Sequence, residues 1–279
     1  MSYADEVFKQ TCIDILEHGT STEGQEVRPR WEDGTPAYTI KRFGVVNRYD
    51  LRKEFPALTL RRIALKSAMD EILWIWQKKS NNVNELNSKI WDQWADETGS
   101  IGTVYGYQAG EKFIYKGKEI DQTDYVRNQL KETPFSRRIM TNLYQYKNLH
   151  TGHLDPCAYS MTYNVTEENG EKVLNAILNQ RSQDMLAANG WNIAQYAILL
   201  MMFAQEANMI PGELVHVIAD AHIYDRHIPI IKELIKRDGF DAPKVSLNPE
   251  VKDFYSFTTN DLIVEDYKFG EQVTFPIAE

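Results

Sequence analysis

Between residues 137 and 185 three strand-like runs succeed one another, "RRIMTNLYQY", "PCAYSMTYNV" and "KVLNAILNQRSQDM". Such a succession limits the chain to folds that gather strands into one sheet and lay helices against it. The flanking pattern agrees. Residues 2–19 space Val7, Ile13, Ile15 and Leu16 around a helical face and end in Gly19. "YTIKRFGVVNRYDL" reads as strand, residues 59–79 as a long apolar-rich helix, and "EKFIYKGKEID" (112–121) as a peripheral hairpin about a Lys-Gly turn. "KIWDQWADETGSIGTVYGYQ" is a loop dense in aromatics, and "DYVRNQLKE" is helical. After residue 185 come a helix over about 192–207, the strand-like "ELVHVIADAHIY", the helix "IPIIKELIKR" and two short strand-like pieces, "KVSLNP" and "DLIVEDYK". No repeat, low-complexity tract or Pro/Gly/Ser linker interrupts residues 20–270. The expectation is one α+β domain over residues 1–279 with a mixed or antiparallel sheet.

Charge and cysteine usage narrow the function classes. The formal charge is -9, whereas a general nucleic-acid binder needs a basic surface. Cys12 and Cys157 are the two cysteines; they make no disulfide framework, and nothing has metal-ligand spacing. "MSYADEVFKQ" is not a signal peptide, and no run approaches the ~20 apolar residues of a membrane span. A reducing cytoplasm fits these features.

Cys12 lies in the first helical pattern and reads as an inert core residue. Cys157 follows a proline at the mouth of a strand, and a thiol there does chemistry only in a cationic or hydrogen-bonding neighbourhood. Four features could supply it. "SRR" places Arg137 and Arg138 at a strand opening, where alternation forbids both pointing one way. To serve one ligand they must come from a neighbouring subunit or sit at an irregular turn. "NQRSQD" puts Arg181, Ser182 and Asp184 at a strand end, and a guanidinium with a hydroxyl can grip phosphate. Asn192 opens a helix as an N-cap, yet its amide also offers the donor and acceptor that read a pyrimidine edge. Asp220, His222 and Tyr224 alternate on one strand face and form a wet polar triplet. These residues admit a cysteine hydrolase, with Cys157, His222 as base and Asn192 as orienter. They equally admit a nucleotide-modifying enzyme, which the abundance of Arg favours.

The pieces "EILWIWQ", "IWDQWAD", "VYGYQ", "SRR", "PC", "QRSQD", "NIAQYA", "DAHIY" and "FPIA" occur in an order and spacing that resembles the thymidylate synthase family over nearly the whole chain. The resemblance implies a largely six-stranded twisted sheet flanked by helices and a homodimer packed sheet to sheet. It implies methylene and hydride transfer from 5,10-methylenetetrahydrofolate to carbon 5 of deoxyuridylate (dUMP), giving thymidylate (dTMP) and dihydrofolate, without metal. Cys157 matches the nucleophile that adds to carbon 6. Arg28 in "EVRPRW", Arg181 and Ser182 match the phosphate grip, with Arg137 and Arg138 reaching in from the second subunit. Arg181 would also favour the thiolate. Asn192 matches the residue that pairs with uracil O4 and N3–H; relatives acting on deoxycytidylate carry Asp there. Gln180 and Asp184 also fall among the nucleotide positions, and His222 and Tyr224 match groups on the 3'-hydroxyl.

Glu71 matches a carboxylate that organises water and manages protons at O4 and carbon 5; burial among Leu73, Trp74 and Ile75 should raise its pKa. Tyr105 matches a hydroxyl assisting removal of the carbon-5 proton. Ile90, Trp91, Trp94 and Leu154 match the folate wall, Asp184 a pterin contact, and Ala188, Trp191 and Ala278 other folate positions.

This chain departs from the family pattern at several places. Ala158 replaces the usual His after the nucleophile, Asp155-Pro156 the usual Pro-Pro, and Tyr144 a Trp. The "LGxPFN" loop is "AANGWN", which alters the folate floor at Ala187, Ala188 and Trp191. Glu279 stands where an apolar terminal residue is usual. Two alternatives follow. A deoxyuridylate hydroxymethylase of the same superfamily would add water in place of hydride, against which the Trp91 indole shields the methylene. A non-catalytic nucleotide- or RNA-binding relative conflicts with the retained Cys157, Glu71 and Asn192.

Overall fold

The strands foreseen after residue 137 do form one sheet, and the elements around it explain where its polar ends meet. A computed structural model of the chain describes residues 1–149 and 154–278. In chain order the elements are α1 (Tyr3–His18), β1 (Thr20–Ser21), β2 (Thr39–Asp50), α2 (Leu65–Leu73), α3 (Gly106–Gly110), β3 (Phe113–Tyr115), β4 (Lys118–Ile120), α4 (Gln122–Glu132) and β5 (Met140–Asn142). There follow β6 (Ala158–Glu168), β7 (Glu171–Gln180), β8 (Gln183–Asp184), α5 (Asn189–Glu206), β9 (Ile210–Tyr224), α6 (Ile228–Leu234), β10 (Lys244–Leu247) and β11 (Leu262–Glu265). The sheet runs β1-β2-β9-β7-β6-β5, six strands on one path, with the two-residue β8 beside β9 as a seventh. It is mixed: β7 and β9 are parallel and the other neighbours on the path antiparallel. β3 and β4 make the foreseen hairpin, and β10 and β11 pair apart from the main sheet.

A parallel pair needs a crossover, and α5 provides it between β7 and β9. Its residues are apolar nearly all round, so it is buried on all sides; Ile198, Leu199, Leu200 and Met202 are fully enclosed. Truncating one of these to Ala should cost about 2–5 kcal/mol. Cys12 is fully buried with Ala4, Phe8 and Ile15, as an inert core thiol should be. That stripe, rather than one through Ile13, is the buried face of α1.

Several boundaries differ from expectation for identifiable reasons. The helix foreseen over 59–79 begins only at Leu65, because the buried Asp5 carboxylate captures the backbone N–H groups of Thr59 (2.7 Å) and Leu60 (3.3 Å). It ends in a π-helical turn, Trp74–Lys78, closed by Lys79 in the left-handed region at φ 56°. The first run past residue 137 is strand only at β5. Arg137 and Arg138 precede it in a turn, so strand alternation does not constrain them. The third run breaks at Arg181 and Ser182, between β7 and β8. The helix carrying Asn192 starts at Asn189 with Ala188 at its cap, so Asn192 lies in the first turn and is not an N-cap. Glu279 falls outside the described residues.

Candidate active site

The carboxyl ends of the parallel strands β7 and β9 meet the first turn of α5 beside a cavity of about 540 Å³. The break after Gln180 turns Arg181 and Ser182 toward it, and β8 sets Asp184 level with His222. β6 begins one residue past Cys157, with an irregular register between Ala158 and Ser160. Cys157 therefore sits at the strand mouth, part-buried on the cavity floor.

Arg181 holds the segment leading to Cys157 in place. Its Nε donates to Pro156 O at 3.0 Å and an Nη2 hydrogen to Asp155 O at 2.6 Å, while its backbone N–H donates to Cys157 O at 2.9 Å. The Cys157 N–H donates to the Tyr105 hydroxyl at 3.0 Å. Burial pushes the Cys157 thiol up, and the opposing pull of Arg181, Tyr105 and Arg28 only partly offsets it. Arg181 thus favours the thiolate as expected, but the resting group is a thiol. Tyr105 is buried, and its phenol is pushed up by desolvation. Its backbone lies at φ 47°, ψ -103°, a conformation costing on the order of 1–3 kcal/mol. Next to it Gly106 tolerates no side chain, since a Cβ would fall 1.9 Å from Ser80 O.

The Asn192 amide is fixed by a chain of hydrogen bonds. Buried His216 is held neutral, its pKa pushed down to about 3 by desolvation. Its Nε2 therefore carries the proton that Gln180 Oε1 accepts at 2.8 Å. Gln180 Nε2 then donates to Asn192 Oδ1 at 3.0 Å, and Asn192 Nδ2 donates to Gln195 Oε1 at 3.0 Å. Oδ1 also accepts from Gln183 Nε2 at the longer distance of 3.3 Å, so the amide offers its remaining Nδ2 hydrogen directly, and a ligand N–H at Oδ1 would displace the Gln183 bond. His216 and Gln195 were not singled out in the sequence. His216 shares the parity of Asp220, His222 and Tyr224, and Gln195 stands three residues after Asn192 on a helix.

His222 Nδ1 faces Asp220 Oδ1 at 2.9 Å, and Lys41 Nζ faces Asp220 Oδ2 at 3.0 Å. The triplet does share a face, with the His222 and Tyr224 rings 5.1 Å apart. Burial would raise the Asp184 carboxyl, but His227, His222 and the Ala187 N–H outweigh it and hold it below the usual range. Asp184 Oδ1 also accepts from the backbone of Leu186 (2.9 Å) and Ala187 (3.1 Å), so it shapes the loop as well as lining the cavity.

On the opposite side the wall is aromatic. Trp91 packs against Tyr105 (5.1 Å), Trp94 (5.5 Å) and Trp74 (6.2 Å). Ile90 and Leu154 extend this surface, and Ala187, Ala188 and Trp191 form its floor. Phe275, Ile277 and Ala278 also line it, their segment anchored where His227 Nε2 bonds Pro276 O at 2.8 Å and Arg61 lies over the Phe275 ring. Glu71 projects between the two sides from α2, buried, its carboxyl raised by desolvation. Arg28 also lines the cavity, whereas Arg137 and Arg138 are exposed and lie away from it.

A sequence model of the family described as Thymidylate synthase matches residues 6–279. The chain belongs to the thymidylate synthase family. It is 41% identical over 283 residues to the thymidylate synthase of Bacillus licheniformis, and equally to that of Bacillus phage phi3T, each alignment covering both chains completely. Its structure superposes on a thermostable thymidylate synthase A from Bacillus subtilis with TM-score 0.93 and 40% identity, covering both chains completely. Thymidylate synthase activity, a folate-dependent methyl transfer, follows from this membership; the hydroxymethylase and binding-protein alternatives are not favoured. Among the described residues no helix is long and apolar enough to cross a membrane.

Proposed function

We propose that the chain makes dTMP from dUMP by Cys157 addition to uracil, the nucleotide lying across the polar half of the cavity. The observation that carries this reading is the pre-oriented Asn192 amide in the cavity that also holds Cys157, Glu71, Arg181 and Ser182. Asn192 Nδ2 donates to O4 and Oδ1 accepts from N3–H, a pattern cytosine reverses. Arg28, Arg181 and Ser182 bind the phosphate. His222 and Tyr224 bind the 3'-hydroxyl, His222 being steered by Asp220.

The Cys157 thiol first gives its proton to solvent water, the thiolate so formed being favoured by Arg181 and Arg28. The sulfur then adds to carbon 6, and the displaced π electrons move through carbon 5 to O4 as an enolate. Glu71, whose raised pKa lets it hold a proton nearer neutrality, manages the proton at O4 through water. Tyr105 receives the Cys157 N–H and keeps its own proton, so its hydroxyl can direct a water that removes the carbon-5 proton. The aromatic wall of Trp91 and Trp94, with Ile90 and Leu154, fits a flat ring system beside the nucleotide. Asp184, Ala188, Trp191 and Ala278 complete that half. Methylenetetrahydrofolate, when bound there, supplies the one-carbon unit and the hydride.

Two copies would pack through the sheet face turned away from α5. That face exposes Val46, Ile177 and Met140, and the register aligns Val215, Ile177, Thr162 and Met140 across β9, β7, β6 and β5. An exposed apolar sheet face favours burial against a partner. Arg137 and Arg138 of the second copy would then reach the phosphate. A reducing cytoplasm suits the free part-buried thiol.

Turnover of dUMP with methylenetetrahydrofolate, both products identified by mass, tests the reaction. Thymidylate with dihydrofolate is expected; hydroxymethyldeoxyuridylate with tetrahydrofolate would transfer the assignment to the hydroxymethylase. Mixing Arg138→Ala chains with Cys157→Ala chains tests the shared site. One working site per mixed dimer is expected, and no recovered activity in confirmed mixed dimers would count against it.

A further inference from the structure

We propose that Trp191 is a positioning residue for Glu71, its indole N–H fixing one carboxylate oxygen so that the other faces the substrate. The inference rests on the proposed proton-handling role of Glu71. Trp191 stands in the "AANGWN" loop, where the family motif has Phe, and the sequence suggested only a folate contact. In the structure its Nε1 donates to Glu71 Oε2 at 2.9 Å. The donor belongs to the first turn of α5 and the acceptor to α2, so the bond ties two helices at the cavity. Trp191 is also the immediate neighbour of Asn192. One turn of helix thereby sets both the amide that reads the base and the carboxylate that handles its protons.

A carboxylate rotates readily about its last side-chain torsion, which is broad and two-fold. A directional bond to Oε2 removes that freedom and leaves Oε1 for water at uracil O4. The other polar groups near this carboxylate do not replace the bond. Gln195 Nε2 favours the ionised Glu71 more strongly than Trp191 does, and Trp91 Nε1 less, but neither of these two buried groups completes a hydrogen bond to it, so the bond from Trp191 is the one that fixes an oxygen. Asp70, beside Glu71 on α2, opposes its ionisation. Tyr196 on α5 and, across the cavity, Cys157 and Tyr105 keep their protons through burial. Arg181 and Arg28 are cations on that side; Arg181 is engaged with the carbonyls before Cys157, and both favour the Cys157 thiolate.

Trp191→Phe keeps a flat ring and deletes the N–H. The protonated-carboxyl infrared band that disappears in Glu71→Gln reports Glu71, and its pH titration gives the midpoint without turnover. An N–H bond favours the ionised form, so its loss should raise the midpoint by roughly half to one pH unit. In the same variant kcat should fall about ten-fold, with KM for dUMP changed less than about two-fold. An unmoved midpoint in a folded, dUMP-binding Trp191→Phe protein overturns the proposal. So does a midpoint that moves in Trp191→Leu and stays put in Trp191→Phe, since ring packing would then be the cause. Full turnover by Glu71→Gln would instead remove the catalytic reading of Glu71, which the infrared midpoint does not depend on.

Discussion

The two halves of the cavity are built on different principles. The half proposed to take the nucleotide hangs on strand ends and a helix turn, and its donors and acceptors are assigned by neighbours: His216 sets Gln180, Gln180 sets Asn192, and Arg181 holds the chain before Cys157. The half proposed to take folate is made of loops and short turns whose residues meet through ring edges and aliphatic surface. Directional bonds fail abruptly when one partner changes. Apolar contact degrades gradually, because a neighbouring side chain can fill part of the lost area. Among the chain's departures from its family, Ala187, Ala188 and Trp191 line the side proposed for folate, whereas Ala158, Asp155 and Pro156 flank Cys157; the residues proposed to take the phosphate and the pyrimidine are themselves retained.

The largest effect should come from the nucleophile. Cys157→Ser should retain dUMP binding and lose turnover by a factor on the order of 10⁴ or more; full activity in that variant would sink the mechanism. The resting state adds a pH dependence. Burial raises the thiol above its ordinary value of 9.0, so alkylation of Cys157 by iodoacetamide should still be accelerating as pH passes that value. Arg181→Gln removes a positive charge that favours the thiolate, which should move the alkylation midpoint higher still and slow the reaction at neutral pH. A midpoint below 9.0 in the intact protein would contradict the assigned balance between burial and charge.

A smaller but directional loss is expected at the base-reading amide. Asn192→Asp replaces the donor that meets O4 with a second acceptor and should reduce kcat/KM for dUMP by roughly 10²–10³-fold. Deoxycytidylate should compete better in that variant, as inhibition of dUMP turnover would show. An unchanged preference between the two nucleotides would mean that the Gln180–Asn192–Gln195 chain does not set the edge.

What the sequence disclosed divides along the same line. Motifs with fixed chemistry announced Cys157, Arg181, Ser182, Asn192 and Glu71, and the structure brings all of them to one cavity. The sheet was legible because short runs carrying β-branched and aromatic residues between turn residues read as strand. Features set by tertiary contact were not. Asp5 shortens α2 by binding backbone groups more than fifty residues away, and no local pattern carries that information. Tyr105 adopts a left-handed φ that its residue type disfavours. His216 was detectable by parity with His222, but its role depends on meeting Gln180 across β7 and β9. The bond from Trp191 to Glu71 likewise needs two helices to be placed first.

The smallest effect tests the tolerant half. Trp94 is partly buried, meets Trp91 edge-on at 5.5 Å, and lines the cavity away from Cys157 and Asn192. Trp94→Leu keeps apolar surface and loses the ring, a change worth about 0.5–1.5 kcal/mol for an aromatic contact. KM for methylenetetrahydrofolate should therefore rise about two- to ten-fold, with KM for dUMP unaltered. If KM for dUMP rises in step with that for folate, the two halves are mechanically coupled through the Trp91–Tyr105 contact, and the division between a directional and an adaptable side fails. If only the folate value moves, the apolar wall is a separable surface. Substitutions at Ala187 and Ala188 can then accumulate without disturbing the chemistry at Cys157, whereas Trp191 stays tied to it through its bond to Glu71.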